Sequence, residues 1–409
     1  MIDLARVEIV FDLSRLMSRM LHIMPTGVDR VEMAYVRTLI ERHPGPLSFA
    51  AINPLGFYGR LPAEAVRRFL DETEHRWKST GSPGWLKLRF WAANHLWRLR
   101  PRHVPARSTS GKRVFLQVSP AHLHKPKKIR AKLQREGAPF VCLIHDLIPI
   151  EFPEYARPGG AALHRLRMRT VADQAVAILA NSSATARSFE IATNKPPCSM
   201  RVRVAHLGTE THIRLSPQGD THPKPPSRPY FVIIGTIEPR KNHLLLLHIW
   251  RRMIETIGPA ATPSLIVIGR RGWENENVVD LLDRCEALQN HVQEYSGLND
   301  ATMHIFVRGA RALLLPSFAE GFGMPVTEAL AAGVPVICSD LPALREAGSG
   351  IAEYLDPLHG QSWIDTILDY TDDISPSRNL QLERLKGWRP PNWQDHIDIA
   401  LKVVEEVAA

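Results

Sequence analysis

Cysteine and long apolar runs are scarce in this sequence. The four cysteines, Cys142, Cys198, Cys285 and Cys338, lie far apart among 409 residues, so they predict buried thiols and neither a zinc cluster nor a disulfide framework. No apolar run reaches the roughly 18 to 20 residues of a membrane-spanning helix. The opening stretch MIDLARVEIVFDLSRL also lacks the basic start and cleavage site of an export signal. We therefore expect a cytoplasmic protein, either soluble or attached peripherally at the inner face of the cytoplasmic membrane.

Acidic residues are missing from one long segment. Between His75 and Arg135 the sequence has 16 Lys and Arg and no Asp or Glu. Because the formal net charge of the whole chain is +9, the rest of the chain has a net charge of 9 − 16 = −7. The basic character is therefore local. It predicts one face that meets an anionic partner.

Tryptophans and cations are interleaved within that segment. The stretch WLKLRFWAANHLWRLRPRH contains Trp85, Lys87, Arg89, Trp91, Trp97, Arg98 and Arg100. As a helix it is amphipathic, cationic and Trp-rich, which is the composition of a segment that lies on anionic lipid, where a lipid-linked acceptor would also lie. A solvated basic helix whose tryptophans pack inward is the alternative. Nucleic-acid binding through the same residues is a different class of function that this composition also allows.

Short apolar runs alternate with longer helical patterns along the chain. Ten runs, from RVEIVFDLS to PVICSD, are apolar and β-branched, which predicts parallel strands covered by helices on both faces and hence an α/β fold. The proline-rich residues 216–229 are the predicted linker between two domains, residues 1–215 and 230–385. Residues 386–409 include an amphipathic helix with Asn392 as its N-cap, which we expect to cross back to the first domain.

The stretch SFAEGFGMPVTEALAAG places two acids around a glycine-rich turn. The preceding strand should end near Ser317, and a helix with Pro325 in its first turn should follow and stop at Gly333. Glu320 then lies at the carboxyl end of a strand, where open α/β sheets bind ligands, and Glu328 lies one turn inside the helix. The glycines between them let backbone amides approach a phosphate. Taken singly, each acid has the alternative of being a solvated surface carboxylate.

Further strand ends carry candidate site residues. In FVIIGTIEPRKNH the strand ends at Gly235, and Glu238, Arg240 and Lys241 follow it. An adjacent Arg and Lys can neutralise a diphosphate there, although a solvated basic pair is the alternative. Other candidates follow further predicted strands. Gly269 and Arg270 follow the run SLIVI, His145 follows FVCLI, and Gly27 lies at a helix entrance after the first strand. For His145 the alternative is a structural, packed histidine.

The loop with the two acids resembles the signature of an enzyme family. Two glutamates with seven residues between them, in EGFGMPVTEALAAGVPVICSD, are similar to the motif of the retaining GT-B glycosyltransferases, in particular family four. The resemblance implies two Rossmann-like parallel-sheet domains facing across a cleft. It also implies that Glu320 lies by the donor sugar and that Glu328 binds the nucleotide ribose. The loop amides of Gly321, Phe322 and Gly323 would hold phosphate and sugar.

The same resemblance implies roles outside this loop. An Arg/Lys pair that holds the donor diphosphate falls to Arg240 and Lys241, and a histidine that faces donor sugar and acceptor falls to His145. The donor side would also include Gly27, Gly235, Glu238, Gly269 and Arg270. The sequence TIEPRKNH is similar to that of bacterial family members that make surface polysaccharides, which are often mannosyltransferases.

The implied activity is hexosyl transfer from a nucleotide sugar. We expect mannose from GDP-mannose as the favoured donor and a glycan or lipid-linked glycan as the acceptor, as in lipopolysaccharide synthesis. No Asp-x-Asp pair is placed to hold a divalent metal by the diphosphate, so we expect neither a metal nor a cofactor. Retention could proceed by covalent double displacement or by front-face attack, and the family analogy favours the second. An epimerase or phosphorylase of the same fold is the alternative, and the donor base, acceptor, linkage and oligomeric state stay open.

Overall fold

The computed structural model describes residues 3–78, 84–104, 112–194, 201–210 and 223–409. Cys198, residues 216–222 of the predicted linker and two pieces of the basic segment lie outside these ranges. The three described cysteines are free thiols. Cys142 and Cys338 are buried, as predicted, whereas Cys285 is only half-buried. No helix in these ranges combines the length and the apolar content needed to cross a bilayer.

The chain divides into two compact units. One consists of Met1–Gly208 together with Asn392–Ala409, and the other is Thr209–Pro391. The chain therefore leaves the first unit at residue 208 and returns to it at residue 392. For comparison, the predicted first domain ran to residue 215, and the predicted C-terminal segment began at residue 386.

The first unit is built on a seven-stranded sheet. Its strands are β1 (Val7–Asp12), β2 (Leu47–Ile52), β3 (Tyr58–Leu61), β4 (Lys112–Gln117), β5 (Phe140–Ile144), β6 (Ala175–Ala180) and β7 (Arg201–Val204). Their spatial order is β3-β2-β1-β4-β5-β6-β7. Neighbouring strands are parallel, except that β2 and β3 pair antiparallel with Ala51 opposite Gly59. Every residue of β5 is buried, as expected for a central strand of a covered parallel sheet.

Nine helices of the described chain belong to this unit. They are α1 (Ser14–Ser18), α2 (Gly27–Arg42), α3 (Ala63–Lys78), α4 (Trp85–Arg98), α5 (Pro126–Glu136), α6 (Ile148–Glu151), α7 (Gly160–Gln174), α8 (Ser183–Thr193) and, at the end of the chain, α16 (Trp393–Ala408). The core of the unit includes Phe115 and Phe140 from the sheet, Ile129 from α5 and Val171 from α7. Apolar stripes on these helices therefore close the sheet from solvent.

The second unit is built on a six-stranded, wholly parallel sheet. Its strands are β8 (Tyr230–Ile234), β9 (Ser264–Ile268), β10 (Val292–Tyr295), β11 (Leu313–Leu315), β12 (Val336–Ser339) and β13 (Glu353–Leu355), in the order β10-β9-β8-β11-β12-β13. Its helices are α9 (His243–Ile257), α10 (Glu276–Arg284), α11 (Asp300–Gly309), α12 (Met324–Ala331), α13 (Pro342–Gly348), α14 (Gly360–Thr371) and α15 (Pro376–Leu385). Trp250 of α9 and Trp363 of α14 are fully buried in its core. The α/β prediction is therefore confirmed for both units.

Three strands, β3, β10 and β13, are absent from the ten predicted runs. Each of them lies at an edge of its sheet. Their sequences, YGRL, VQEY and EYL, are short and mix polar with apolar residues. An edge strand is paired on one side only and tolerates this mixture, so the search for wholly apolar runs could not find it.

Helix α16 completes the first unit. The Asn392 side chain accepts a hydrogen bond from the Asp395 N–H over 2.8 Å, which confirms the predicted N-cap. The His396 ring packs edge-on against Tyr35 of α2 with centroids 5.0 Å apart. Gly208 lies so close to Trp393 that a Cβ at position 208 would overlap it. The last helix is therefore part of the hydrophobic core of the first unit.

Candidate functional site

The candidate site lies where the strand order of the second sheet reverses. β8 and β11 are neighbours there, and their carboxyl ends lead into the loops of residues 235–242 and 316–323. The backbone joins these two loops, because the Phe318 N–H donates to the Arg240 carbonyl over 2.8 Å. Ligands bind open α/β sheets at such reversal points. The residues predicted from two distant stretches of sequence are thus brought to one place.

The conformation of the first loop directs its two cations. Pro239 opens a 3₁₀ turn that ends at Lys241, and Asn242 takes the left-handed conformation, with φ of 55°, before α9 begins. Asn adopts this region more readily than most residues. Its side-chain amide donates to the Pro357 carbonyl over 3.1 Å, which fixes the end of the turn. Arg240 and Lys241 are therefore held by a tight turn and not by a mobile loop.

Glu320 binds both of these cations. Its Oε1 accepts from Lys241 Nζ at 2.5 Å and from Ser317 Oγ at 2.7 Å, and its Oε2 accepts from Arg240 Nη1 at 2.9 Å. Arg240 Nε pairs in turn with Glu238 Oε1 at 2.6 Å. The side chains of Glu320 and Lys241 are each 8% exposed, so this network is largely removed from water.

Opposing effects set the charges of this network. Burial raises the pKa of Glu320, but Lys241 and Arg240 outweigh burial and hold that pKa at about 2. Burial lowers the pKa of Lys241, and the Glu320 carboxylate opposes this shift. Burial also raises the pKa of Glu238, against the attraction of Arg240 and Lys241. At neutral pH the site therefore contains an ionised Glu320 fixed beside Arg240 and Lys241.

The glycine-rich turn after Glu320 enters α12 as predicted. Gly323 has a φ of 102°, which favours glycine, and Pro325 lies in the first turn of the helix. Phe322 is 3% exposed, so its ring packs inward and only its backbone suits the predicted ligand contact. Glu328 lies one turn inside α12 and is half-buried. The two glutamates therefore stand on different elements, as expected.

Gly235 and Gly269 have a structural role at the ends of β8 and β9. A Cβ on Gly269 would overlap the Gly235 carbonyl oxygen, so glycine is required where the ends of β8 and β9 approach. The Gly235 N–H donates to the Ile268 carbonyl, and the Gly269 N–H donates to the Tyr295 carbonyl. Arg270 is exposed beside them. The donor contacts of these three residues remain a prediction.

Two candidates, His145 and Gly27, belong to the first unit, whereas the glutamates and cations above belong to the second. Nε2 of His145 lies 2.7 Å from the Val118 carbonyl. Burial lowers the pKa of His145, and the Val118 carbonyl and Asp146 only partly offset this shift. The ring is therefore neutral at neutral pH. A neutral ring in this contact donates through Nε2 and keeps the lone pair on Nδ1.

Gly27 is the first residue of α2, as predicted. Thr26 caps the helix, accepting from the Asp29 N–H while the Asp29 carboxylate accepts from the Thr26 N–H at 2.7 Å. Arg15 donates to both Asp29, at 2.6 Å, and Thr26, at 2.9 Å, and its charge contributes to the lowered pKa of His145. The helix entrance and His145 thus share a cationic neighbour.

Helix α4 separates the tryptophans that the sequence grouped together. Trp85 and Trp97 are 60% and 67% exposed. Trp91 instead packs inward: its Nε1 donates to Glu72 of α3 at 2.8 Å, and the Arg76 guanidinium lies 4.1 Å from its ring centroid. Trp91 is therefore removed from the predicted acceptor or membrane surface. Of the cations in that group, Lys87 and Arg89 are exposed and Arg98 is half-buried.

Sequence reasoning missed several residues that hold the site. Ser317 is predicted only as the end of a strand, and neither Asn242 nor Arg15 is among the predicted site residues. A Ser three residues before Glu320 and an Asn between a turn and a helix were available signals. The approach of Arg15 to Asp29 depends on the packing of α1 against α2, so no local pattern could reveal it.

Comparison with known domains relates this site to one family. Residues 218–348, which include the loops of Arg240 and Glu320, match the family model described as glycosyl transferases group 1. This part of the chain is thus similar to the group 1 glycosyl transferases, and the predicted resemblance is confirmed. The match extends from the region before β8 to the end of α13, so it includes both strands of the reversal point.

Several curated relatives of the chain are mannosyltransferases by name. It is 35% identical over 165 residues to O-antigen chain mannosyltransferase B of Escherichia coli, covering 39% of this chain and 42% of that one. It is 26% identical over 251 residues to the serotype-specific mannosyltransferase WbdA of Escherichia coli, covering 57% of this chain and 30% of that one. The matches therefore span less than half of the length of either relative.

Solved structures show the same fold. Sucrose-phosphate synthase from Thermosynechococcus elongatus superposes with a TM-score of 0.62 at 13% identity, covering 98% of this chain and 100% of that one. HepE of Anabaena, solved with UDP and glucose, superposes with a TM-score of 0.57 at 15% identity, covering 98% and 99%. These likenesses confirm the predicted GT-B type of fold, with two Rossmann-like parallel-sheet domains.

Proposed function

We propose that the protein is a retaining hexosyltransferase that moves mannose from GDP-mannose to a glycan or lipid-linked glycan acceptor in surface polysaccharide synthesis. The observation that carries this proposal is the buried cluster of Arg240, Lys241 and Glu320 at the reversal point of the second sheet, inside the group 1 match. The names of the mannosyltransferase relatives support the choice of sugar and hence of donor.

The two cations suit the leaving group of such a reaction. As the bond to the anomeric carbon breaks, negative charge grows on the departing diphosphate. Arg240 and Lys241 are fixed before the reaction by the 3₁₀ turn and by Glu320, so little reorganisation is needed when that charge develops. Fixed donors aimed at a developing charge are among the largest catalytic effects, worth about 3 kcal/mol each.

Glu320 has the wrong protonation state for a general acid. With a pKa of about 2 it is ionised at neutral pH, and it already accepts hydrogen bonds from Lys241, Arg240 and Ser317. A carboxylate of such low basicity is a weak nucleophile, which supports front-face attack over covalent double displacement. We assign to Glu320 the orientation of the two cations and the acceptance of hydrogen bonds from donor sugar hydroxyls.

The remaining roles follow from position. Glu328, one turn inside α12, is assigned to the ribose, and the backbone from Gly321 to Gly323 to the phosphate and sugar. His145 is assigned to the side of the acceptor as a neutral ring with an accepting Nδ1. We propose that the reaction needs no metal, because the sequence places no Asp-x-Asp pair by the diphosphate loops. Full transfer after chelation by EDTA tests this.

The first experiment is a panel of nucleotides measured by thermal shift and calorimetry. GDP, UDP, ADP and dTDP, each with its sugar conjugates, are added to the wild type and to Glu328→Ala. We expect GDP and GDP-mannose to raise the melting temperature of the wild type and to lose this effect in the variant. The exposed acid Glu383 of α15 supplies the matched control, since Glu383→Ala should bind like the wild type.

A transfer assay completes the test. Release of GDP from GDP-mannose that depends on a membrane-extracted glycan acceptor, with an α-linked product, supports the proposal. A rise in melting temperature with UDP or ADP alone would mean that the donor is a UDP or ADP sugar and not GDP-mannose. Isomerisation of the donor sugar in the absence of an acceptor would mean that the protein is an epimerase and not a transferase.

A further inference from the structure

Helix α4 has two apolar faces. Leu88, Ala92, His95 and Leu99 follow the spacing i, i+4, i+7, i+11 and are at most 4% exposed. Leu86, Phe90, Ala93 and Trp97 repeat the same spacing, each two residues earlier, which turns them by about 200° to the opposite side of the helix. Of these, Leu86, Phe90 and Trp97 are 68%, 75% and 67% exposed. We call this second set the outer stripe.

The outer stripe is rigid because the inner face is firmly packed. Glu72 of α3 accepts from the Trp91 indole at 2.8 Å and lies 2.9 Å from His95 Nε2. The Phe69 ring lies 5.4 Å from His95 and 6.0 Å from Trp91 between ring centroids. α4 therefore presents its outer stripe without first having to fold, and the cost of ordering a binding segment is avoided.

Cations border the stripe on both sides. Lys87, Arg89 and Arg100 are exposed, and Arg98 is half-buried. The Arg89 guanidinium lies 5.9 Å from the Trp85 ring centroid, and that of Arg100 lies 5.6 Å from the Trp97 centroid. The sequence has no Asp or Glu from His75 to Arg135 that could offset these charges. The border is thus complementary to an anionic surface.

We propose that the outer stripe of α4 is a membrane-binding face that lies in the interface of an anionic lipid bilayer. Its centre is Leu86, Phe90, Ala93 and Trp97, and its border carries Trp85 with Lys87, Arg89, Arg98 and Arg100. A helix of this kind places its apolar face among the acyl chains near the headgroups, its tryptophans at the headgroup level and its cations on the lipid phosphates. The centre mixes the aliphatic Leu86 and Ala93 with its two aromatic rings, which suits acyl chains better than a row of stacked bases, and equal charge disfavours a second copy of the same face.

Vesicle sedimentation tests this face. The whole chain is mixed with phosphatidylcholine vesicles that either contain or lack phosphatidylglycerol. We expect binding to the anionic vesicles that weakens as salt is raised. Leu86→Ser, Phe90→Ser and Trp97→Ser in one variant should weaken this binding by at least about tenfold. Lys87→Gln with Arg89→Gln should weaken it by about tenfold or more on anionic vesicles only.

A matched control replaces equally exposed apolar residues elsewhere. Leu358, Ile374 and Leu380 of the second unit are 78%, 80% and 61% exposed, and their replacement by Ser should leave vesicle binding unchanged. Hydrogen exchange should show slower exchange for residues 85–98 on anionic vesicles. Because all replaced residues are exposed, unchanged melting temperatures are expected for every variant.

Several results would overturn the proposal. They are no binding to anionic vesicles at low salt, tighter binding to an oligonucleotide than to vesicles, or a dimer in solution that the stripe variant converts to monomer. Vesicle binding is measured without any sugar nucleotide. Failure here is therefore distinguishable from failure of the proposed transfer reaction.

Discussion

The charge of a single carboxylate governs the candidate site. Glu320 is 8% exposed in its side chain, yet it is ionised because Lys241 and Arg240 lie within 3 Å of its two oxygens. Taking such charges out of water is costly, and only close pairing with further hydrogen bonds offsets this cost. Removing one partner therefore affects the others, and substitutions at this cluster have effects on both stability and activity.

Replacement of Arg240 by Ala should lower kcat for transfer by about 10²- to 10³-fold, since one fixed donor to the leaving diphosphate is lost. KM for the donor should change less, because the interaction strengthens as charge develops in the transition state. Steady-state kinetics with the preferred donor checks this. Arg251→Ala on α9, which breaks an exposed pair with Glu255, is the control and should leave kcat unchanged. A rise in KM at constant kcat would instead show that Arg240 binds the ground state and the transition state equally.

The low pKa of Glu320 predicts a pH dependence of stability. Its folded-state pKa of about 2 lies below the ordinary value of about 4.3, so its ionisation stabilises the fold above the ordinary value. This contribution is lost as the pH falls toward 2. Glu320→Gln should therefore lower the free energy of unfolding by about 3 kcal/mol at pH 7, with the difference from the wild type shrinking in acid. Urea unfolding across this range measures it.

The surface acid Glu383, whose side chain is 63% exposed, is the control for that experiment. Glu383→Gln should change stability by less than about 1 kcal/mol at every pH, because exposed pairs contribute little. A loss in Glu320→Gln that is the same at all pH values would contradict the proposed origin of its stabilisation.

At the scale of elements, the ends of β8 and β9 approach so closely that side chains are excluded. Gly269 follows β9 and faces the carbonyl of Gly235, which follows β8. The loop that carries Arg240 and Lys241 begins immediately after Gly235. The spacing of these two strand ends therefore sets the position of the cations relative to Glu320.

Gly269→Ala should destabilise the second unit by about 1 to 3 kcal/mol, because the new Cβ would overlap backbone that cannot move as a side chain would. Donor affinity should fall with it, since the loop after β8 has to shift. Calorimetric unfolding and nucleotide titration measure the two effects. Gly387→Ala is the control, because a Cβ there has no neighbour within 4 Å. Wild-type stability of Gly269→Ala would show that the strand ends separate freely.

At the scale of the whole molecule, sequence reasoning worked where elements are apolar throughout and failed where they are not. The central strands, the helix entered at Pro325 and the cap at Asn392 follow from local patterns that one stretch of chain contains. The edge strands β3, β10 and β13 have no such pattern, whereas the edge strand β7 was predicted from RVRV. Likewise, the pairing of Glu320 with Arg240 joins residues 80 positions apart, and only the strand order of the sheet brings them together. The two faces of α4 were also hidden, since which apolar stripe is packed depends on α3.

The return of α16 to the first unit has a consequence for how the protein is made. Ile397 and Val404 of this helix are fully buried against residues that a ribosome synthesises several hundred codons earlier. Domains usually fold in the order of their synthesis, from the N-terminus. Here the N-terminal unit lacks part of its core until residues 392–409 emerge, whereas Thr209–Pro391 is by then already complete. The second unit is therefore expected to fold first, and the nascent first unit to keep the surface that α16 covers exposed until that helix has emerged.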